Sequence, residues 1–271
     1  MPIAHLKDRA VIAVTGPEAR LFLQGLITND VERLETDKGL YAALLTPQGK
    51  ILFDFFLVEG DAALLIDCAA ASRDALVKRL TMYKLRSKLT LEVRDQLAVL
   101  AAWEGELPRN AISYPDPRLA DMGKRAIIAK GEMPNNLPAA EVYHAHRLAL
   151  GVPEGADFGS DRIFALDGDL DELHAVDFAK GCYIGQELTA RMKHRGTARK
   201  RVLAITAESG VLPASGTAVQ SGTTDIGELV SEYGAHGFAL IRLDRLEHAV
   251  GAPITAASRS VKLFKPAWLS A

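Results

Sequence analysis

Between Leu40 and Ile66, short apolar runs alternate with turn-forming residues, and this alternation limits the fold more than any other feature of the chain. Leu40 to Leu45, Ile51 to Val58 and Ala62 to Ile66 are separated by Pro47-Gln48-Gly49-Lys50 and Glu59-Gly60-Asp61. Apolar runs of that length joined by tight turns form an antiparallel meander. Upstream, Ala10 to Val14 reads as a strand. Gly16-Pro17 then opens a helix with proline at its first position, and Leu21, Phe22, Gly25 and Leu26 share one face of it. Downstream, Ala70 to Met82 is helical, with Leu76, Leu80 and Tyr83 spaced for burial; Lys88 to Val93 and Gln96 to Ala102 return to strand. A mixed α+β unit follows.

From Glu104 to Pro138 the chain is rich in proline and predicts a loop-dominated excursion with short strands such as Arg125 to Ala129. Ala139 to Leu150 is a helix, ended by Gly151-Val152-Pro153. Gly155 to Val176 is crowded with acids (Asp157, Asp161, Asp167, Asp169, Asp171, Glu172) and lacks EF-hand spacing, so it reads as a solvated loop. After Gly196, glycines recur between short apolar runs, the pattern of a small antiparallel β-barrel closed by Pro253 to Ala257 and Ser260 to Leu263. Two regions are expected: an α+β region over 1–196, made of two lobes, and a barrel over 197–271.

The 271 residues suffice for a large core, and 48% hydrophobic with 24% charged residues is ordinary globular composition. A net charge of −2 gives no global attraction to nucleic acid, so a polyanion site has to be local. The cysteines, Cys68 and Cys182, form no Cys-x-x-Cys pair, and no metal site is predicted from this chain alone; an iron–sulfur cluster would need ligands from elsewhere. No apolar run approaches the length of a membrane span and Met1 to Asp8 has no signal-peptide hydrophobic region, which predicts no membrane partner, a cytoplasmic location and free thiols.

The chemistry concentrates in Lys180-Gly181-Cys182-Tyr183-Ile184-Gly185-Gln186-Glu187, followed by a segment containing Arg191 and Gly196. A cysteine acts as nucleophile or metal ligand only as the thiolate, which neighbouring cations and helix N-termini favour. Lys180 supplies a cation, and the helix formers after Tyr183 predict a helix whose first turn holds Cys182. Gly181 and Gly185 permit close approach or a positive φ. The same residues also fit a buried small hydrophobe flanked by turn glycines. On the preceding helix, Tyr143 and Arg147 stand four apart and could offer a ring face and a planar cation to a flat heterocycle bearing carboxylates; a helix edge packed through Tyr143 with Arg147 in solvent is the simpler reading of the residues alone. Arg191, Lys193, Arg195, Arg199, Lys200 and Arg201 form a basic run with no acid among them. It fits a solvated linker, a clamp for the carboxylates of an acidic ligand, or a nucleic-acid phosphate contact; the absence of interleaved aromatics disfavours the last.

Lys-Gly-Cys-Tyr-x-Gly-Gln-Glu, with Arg191 and Gly196 after it, resembles the signature of YgfZ-type proteins, folate-binding relatives of the glycine-cleavage aminomethyltransferase. Val14 to Val31 resembles the opening segment of that superfamily, and the resemblance covers essentially the whole chain. It implies a three-lobed ring with tetrahydrofolate in a central channel, Asn29 and Asp30 joining Tyr143 and Arg147 as folate contacts. It also implies a role in making or repairing iron–sulfur clusters, with iron–sulfur enzymes or assembly proteins as partners. Cys182 would be the working thiol, Lys180 would favour its thiolate, and Gln186 and Glu187 would position it. Two departures from the aminomethyltransferases stand out. Ala149 occupies the place of their pterin-holding acid, and Asp67 is the nearest match to their catalytic aspartate. A folate-dependent one-carbon transferase and a tRNA-binding accessory protein using residues 191–201 are the alternative readings.

Overall fold

The computed structural model describes residues 3–196, 199–248 and 251–270. The expected boundary at 196/197 touches Thr197, outside the described residues. The chain opens with β1 (Ile3–His5), β2 (Arg9–Thr15) and α1 (Ala19–Gln24), then lays down the meander β3 (Leu40–Leu45), β4 (Ile51–Gly60) and β5 (Ala63–Ala69). Next come α2 (Arg73–Lys84), β6 (Thr90–Val93), β7 (Leu97–Ala102), β8 (Ile112–Pro115) and β9 (Lys124–Ala129). These strands build two antiparallel sheets, one ordered β3-β4-β5-β2-β6 and the other β1-β7-β9-β8.

The period-2 burial of the strands sorts the core into layers. In β2, Val11 and Ala13 face the other sheet through a cluster that includes Phe56, Val58, Leu65, Val99, Ala101 and Ile127. Ile12 and Val14 face the opposite way, with Phe55, Leu57, Leu64 and Ile66, into a layer covered by Leu23 of α1 and by Leu76 and Leu80 of α2. Both helices therefore lie on one face of the five-stranded sheet.

Then follow α3 (Ala140–Ala149), an irregular passage, and α4 (Gln186–Arg195). The barrel consists of β10 (Lys200–Ala207), β11 (Ala218–Ser221), β12 (Thr224–Tyr233), β13 (His236–Arg242), β14 (Ile254–Ala256) and β15 (Arg259–Phe264), with α5 (Leu243–His248) beside it. It closes in the order β10-β13-β12-β11-β14-β15. Among the described residues no helix is long and apolar enough to cross a membrane.

Two expectations fail. Cys182 is not in the first turn of a helix: α4 starts at Gln186, after Gly185 in the left-handed conformation (φ 83°). The acidic passage is not a solvated loop, since Asp157, Asp167 and Asp169 are buried. Arginines account for much of this. Arg147 meets Asp157 at 2.7 Å, and Arg201 of β10 meets Asp171 at 2.8 Å and Asp169 at 3.6 Å, tying the passage to the barrel.

Candidate functional site

Cys182 stands exposed on a loop pinned from both sides. On the N-terminal side, Asp177 Oδ1 accepts from the backbone N–H groups of Ala179 (2.7 Å) and Lys180 (2.9 Å), and its Oδ2 pairs with Arg33 at 2.7 Å. The buried Lys180 turns inward, and its Nζ donates to the carbonyls of Gln24 (2.9 Å), Ile27 (2.8 Å) and Asn29 (2.7 Å). An ammonium has three N–H donors, so this set is complete. Burial pushes its pKa down to about 8, against the opposing pull of Asp30 and Asp177. Lys180 thus clamps the loop to the segment after α1 and donates no hydrogen bond to Cys182, contrary to the expectation that it serves the thiolate.

On the C-terminal side, Tyr183 is buried in the core, its ring 5.3 Å from Lys180 Nζ. Gly185 lies so close to the β3–β4 turn that a Cβ there would meet Thr46 O at 2.5 Å and Leu45 Cβ at 2.9 Å. Thr189 Oγ1 donates to Gly185 O at 3.0 Å and seats α4. Gly181 is different: a Cβ there would meet nothing within 4 Å, and its φ is not positive, so it leaves the approach to the thiol open. Gln186 and Glu187 make no side-chain hydrogen bond to Cys182 among the described residues, and Arg191 is exposed on α4. Cys68, by contrast, is buried, and burial pushes its thiol up to about 12.

Beside the loop is a polar cavity of about 860 Å³ whose lining includes Asn29, Arg33, Lys38, His174 and Phe178. Asn29 forms part of its wall by donating to Tyr41 O and His174 O, both at 2.8 Å. Asp30 is not on that lining; it accepts from Gln24 Nε2 (2.7 Å) and Glu32 N (3.1 Å) and caps a short 3-10 turn.

Tyr143 and Arg147 do share a face of α3, but that face points into the protein. Tyr143 and Arg147 are 0% and 1% exposed. The Tyr143 hydroxyl accepts from Arg118 (2.7 Å) and Arg125 (3.1 Å) and donates to Glu154 (3.0 Å). Arg118 also pairs with Asp116 (2.7 Å) and Glu154 (2.6 Å). Asp67 is buried and bonded at 2.6 Å by both Arg9 and Arg125, so each of its carboxylate oxygens holds an arginine. Burial would raise the Glu154 pKa, but Arg118, Arg147, Arg9 and Arg125 outweigh it and hold the carboxyl well below its usual range. This network joins both sheets, α3 and β12 where the lobes meet. The proline-rich stretch concealed it, since Asp116 and Arg118 there carry no periodic signal.

The opposite face of α3 is open. Ala145, Leu148 and Ala149 line a cleft of about 520 Å³ against the barrel, with Glu141, His144 and Tyr233 around it. His144 and Tyr233 are fixed from behind: His144 Nε2 meets Asp8 at 2.8 Å, its Nδ1 accepts from Arg147 at 3.1 Å, and the Tyr233 hydroxyl donates to Asp157 at 3.0 Å. Their rings are within 8° of parallel.

In the basic run, Arg201 is buried against Asp171, and Lys193 reaches the same carboxylate at 3.4 Å. Part of the run is therefore structural, and Thr197 and Ala198 within it lie outside the described residues.

Residues 199–271 match the family model of the CAF17 C-terminal β-barrel domain. The chain is 33% identical over 281 residues to the mitochondrial iron–sulfur cluster assembly factor IBA57 of Mus musculus, covering 90% of this chain and 78% of that protein. It is 34% identical over 230 residues to the mitochondrial IBA57 homolog of Neurospora crassa, where it spans about half the relative's length: 74% of this chain and 52% of that protein. These relatives overturn the expectation of a cytoplasmic location, since they are mitochondrial proteins. Free thiols are at home in any reducing compartment, so cysteine usage could not separate the two. They also carry the name IBA57, a branch related to the YgfZ-type proteins whose signature the motif resembles. The glycine cleavage system aminomethyltransferase T of Bartonella henselae superposes with a TM-score of 0.76 at 14% identity, over 98% of this chain and 86% of that one. The fold is thus that of the aminomethyltransferases, and the chain belongs to the CAF17/IBA57 family.

Proposed function

We propose that this protein assists iron–sulfur cluster assembly and that Cys182 is its working thiol. The observation that carries the reading is the exposed cysteine on a loop clamped by Lys180 and Gly185. A thiol held out rigidly, with an open approach over Gly181, is ready to meet a cluster or a sulfur-bearing partner at small entropic cost. Among the described residues no group of three His, Cys, Asp or Glu side chains could hold a metal ion. A cluster held by Cys182 would take its remaining ligands from another molecule. The test is anaerobic mixing of the reduced chain with a purified scaffold protein that already carries its iron–sulfur cluster. The reading requires a chromophoric complex that co-elutes with both proteins and is lost with Cys182→Ala; an undiminished complex with that variant would refute it.

A folate reading is favoured by one observation, the cleft on the outer face of α3. Its volume and partly apolar lining suit a small-molecule ligand. Tyr233 and His144 would stack on the pterin of tetrahydrofolate, and Glu141 would accept from its N–H groups in place of the acid absent at Ala149. Tetrahydrofolate supplies a one-carbon carrier; no transfer step is needed for the cluster role. Titration with tetrahydrofolate, followed by intrinsic fluorescence, should show binding that Ala149→Trp blocks. Unchanged binding by that variant would remove the cleft from consideration.

A further inference from the structure

A second basic stretch lies far along the sequence from the motif, at the end of α2. From Ala75 to Leu91 the chain contains Lys78, Arg79, Lys84, Arg86 and Lys88 and no acidic residue. Among the described residues none of these cations is in an ion pair, unlike Lys193 and Arg201 of the run after α4. Two large apolar side chains stand among them, with Leu85 87% and Met82 60% exposed, and Leu21 of the neighbouring α1, on the same face of the sheet, is 74% exposed. A lone exposed leucine is unremarkable; three on one helix layer beside unneutralised cations are not.

The backbone holds this tip in place. Leu85 takes a positive φ of 46°, uncommon for a leucine, and ends α2. Ser87 N donates to Lys84 O at 2.8 Å, and Leu89 is buried and returns the chain to the core. Lys88 N donates to Glu18 at 3.0 Å, which sets the tip against the start of α1. Leu21 points away from the sheet because Ala19 and Leu23 face it, and Met82 stands two residues beyond the buried Leu80. Met82 and Leu85 are thus exposed on the same short segment as Lys84, Arg86 and Lys88.

We infer that this tip binds the surface of an anionic lipid bilayer, with Leu85, Met82 and Leu21 entering the headgroup–acyl boundary and the cations meeting lipid phosphates. The charge is complementary, and exposed aliphatic side chains beside cations match an interface that is apolar just below its charged layer. An RNA backbone would use the same cations but gains nothing from an exposed leucine, and the one ring of this stretch, Tyr83, is half-buried against the core. A surface contact of this kind needs no spanning helix and is reversible and salt-sensitive.

The test is sedimentation of the full chain with phosphatidylcholine vesicles, with and without phosphatidylserine. Binding is expected only to the anionic vesicles and to weaken with added salt. Lys84→Gln with Arg86→Gln should weaken it about 25-fold, near fivefold per charge. Leu85→Asn, an exposed change that tolerates positive φ, should weaken it several-fold without altering the circular dichroism spectrum, whereas Arg191→Gln with Arg195→Gln should leave it unchanged. The inference is overturned if wild type ignores anionic vesicles, or if the tip variants bind them like wild type. Capture of a single-stranded RNA oligonucleotide that the tip variants lose, without vesicle binding, would also overturn it.

Discussion

Cys182 and Cys68 separate cleanly in environment. One is exposed; the other is buried with its thiol pushed up to about 12. Native protein should therefore react with iodoacetamide at Cys182 alone, and unfolded protein at both cysteines, as counted by mass spectrometry. Lys180 makes a different kind of claim. Lys180→Met keeps the length of the side chain but leaves the carbonyls of Gln24, Ile27 and Asn29 without their donor. Unsatisfied buried acceptors of this kind destabilise by roughly 2–4 kcal/mol together. Urea unfolding should show that loss, and limited proteolysis should cut between Asp177 and Gly185 in the variant first. The motif could be picked out from its residues, but the direction of its lysine could not. Lys180 and Cys182 are neighbours in sequence, while the acceptors that turn the ammonium away lie some 150 positions upstream.

At the scale of elements, α4 depends on its left-handed Gly185. Gly185→Ala forces a Cβ against Thr46 O at a strained φ, a combined penalty of about 2 kcal/mol, or near 4–8 °C in Tm. Gly181→Ala meets no atom and should leave Tm where it is; calorimetry on the pair distinguishes a glycine needed for packing from one that only keeps access open. The strands are legible as short apolar runs bounded by turn residues, and each serves two core layers: in β4, Phe55 and Leu57 join one and Phe56 and Val58 the other. The helix α3 is legible too, but which of its faces turns inward is not. Its buried face carries Tyr143 and Arg147 and its open face carries Ala145 and Ala149, the reverse of a simple amphipathic pattern. Only the arginines and acids brought in from β8, β9 and the segment after α3 make that face an interior.

At the scale of the molecule, buried charge joins the lobes. Arg201 links the barrel to the acidic passage, and nearby burial pushes the Asp167 carboxyl up to about 6 despite Lys200 and Arg201. The folded state then holds a proton that the unfolded chain releases near 3.8. Asp167 accordingly contributes stability that is full below 3.8 and disappears as pH rises through 6. Asp167→Asn should flatten the fall in unfolding free energy over that window, by on the order of 2–3 kcal/mol, in urea titrations at stepped pH. No periodicity announces such contacts, which is why the acidic passage looked solvated when read alone. The aminomethyltransferase fold and the barrel were both anticipated, because superfamily motifs and turn spacing are carried locally.

The central claim is that the thiol of Cys182, held out on its clamped loop, does the work of cluster assembly. Its most direct test is the activity of four-iron-cluster enzymes in cells lacking this gene, complemented with wild type or with Cys182→Ala at equal protein level and equal Tm. The account predicts that wild type restores those activities and the variant does not. Full restoration by Cys182→Ala would contradict it and leave the cysteine without a role in the reaction.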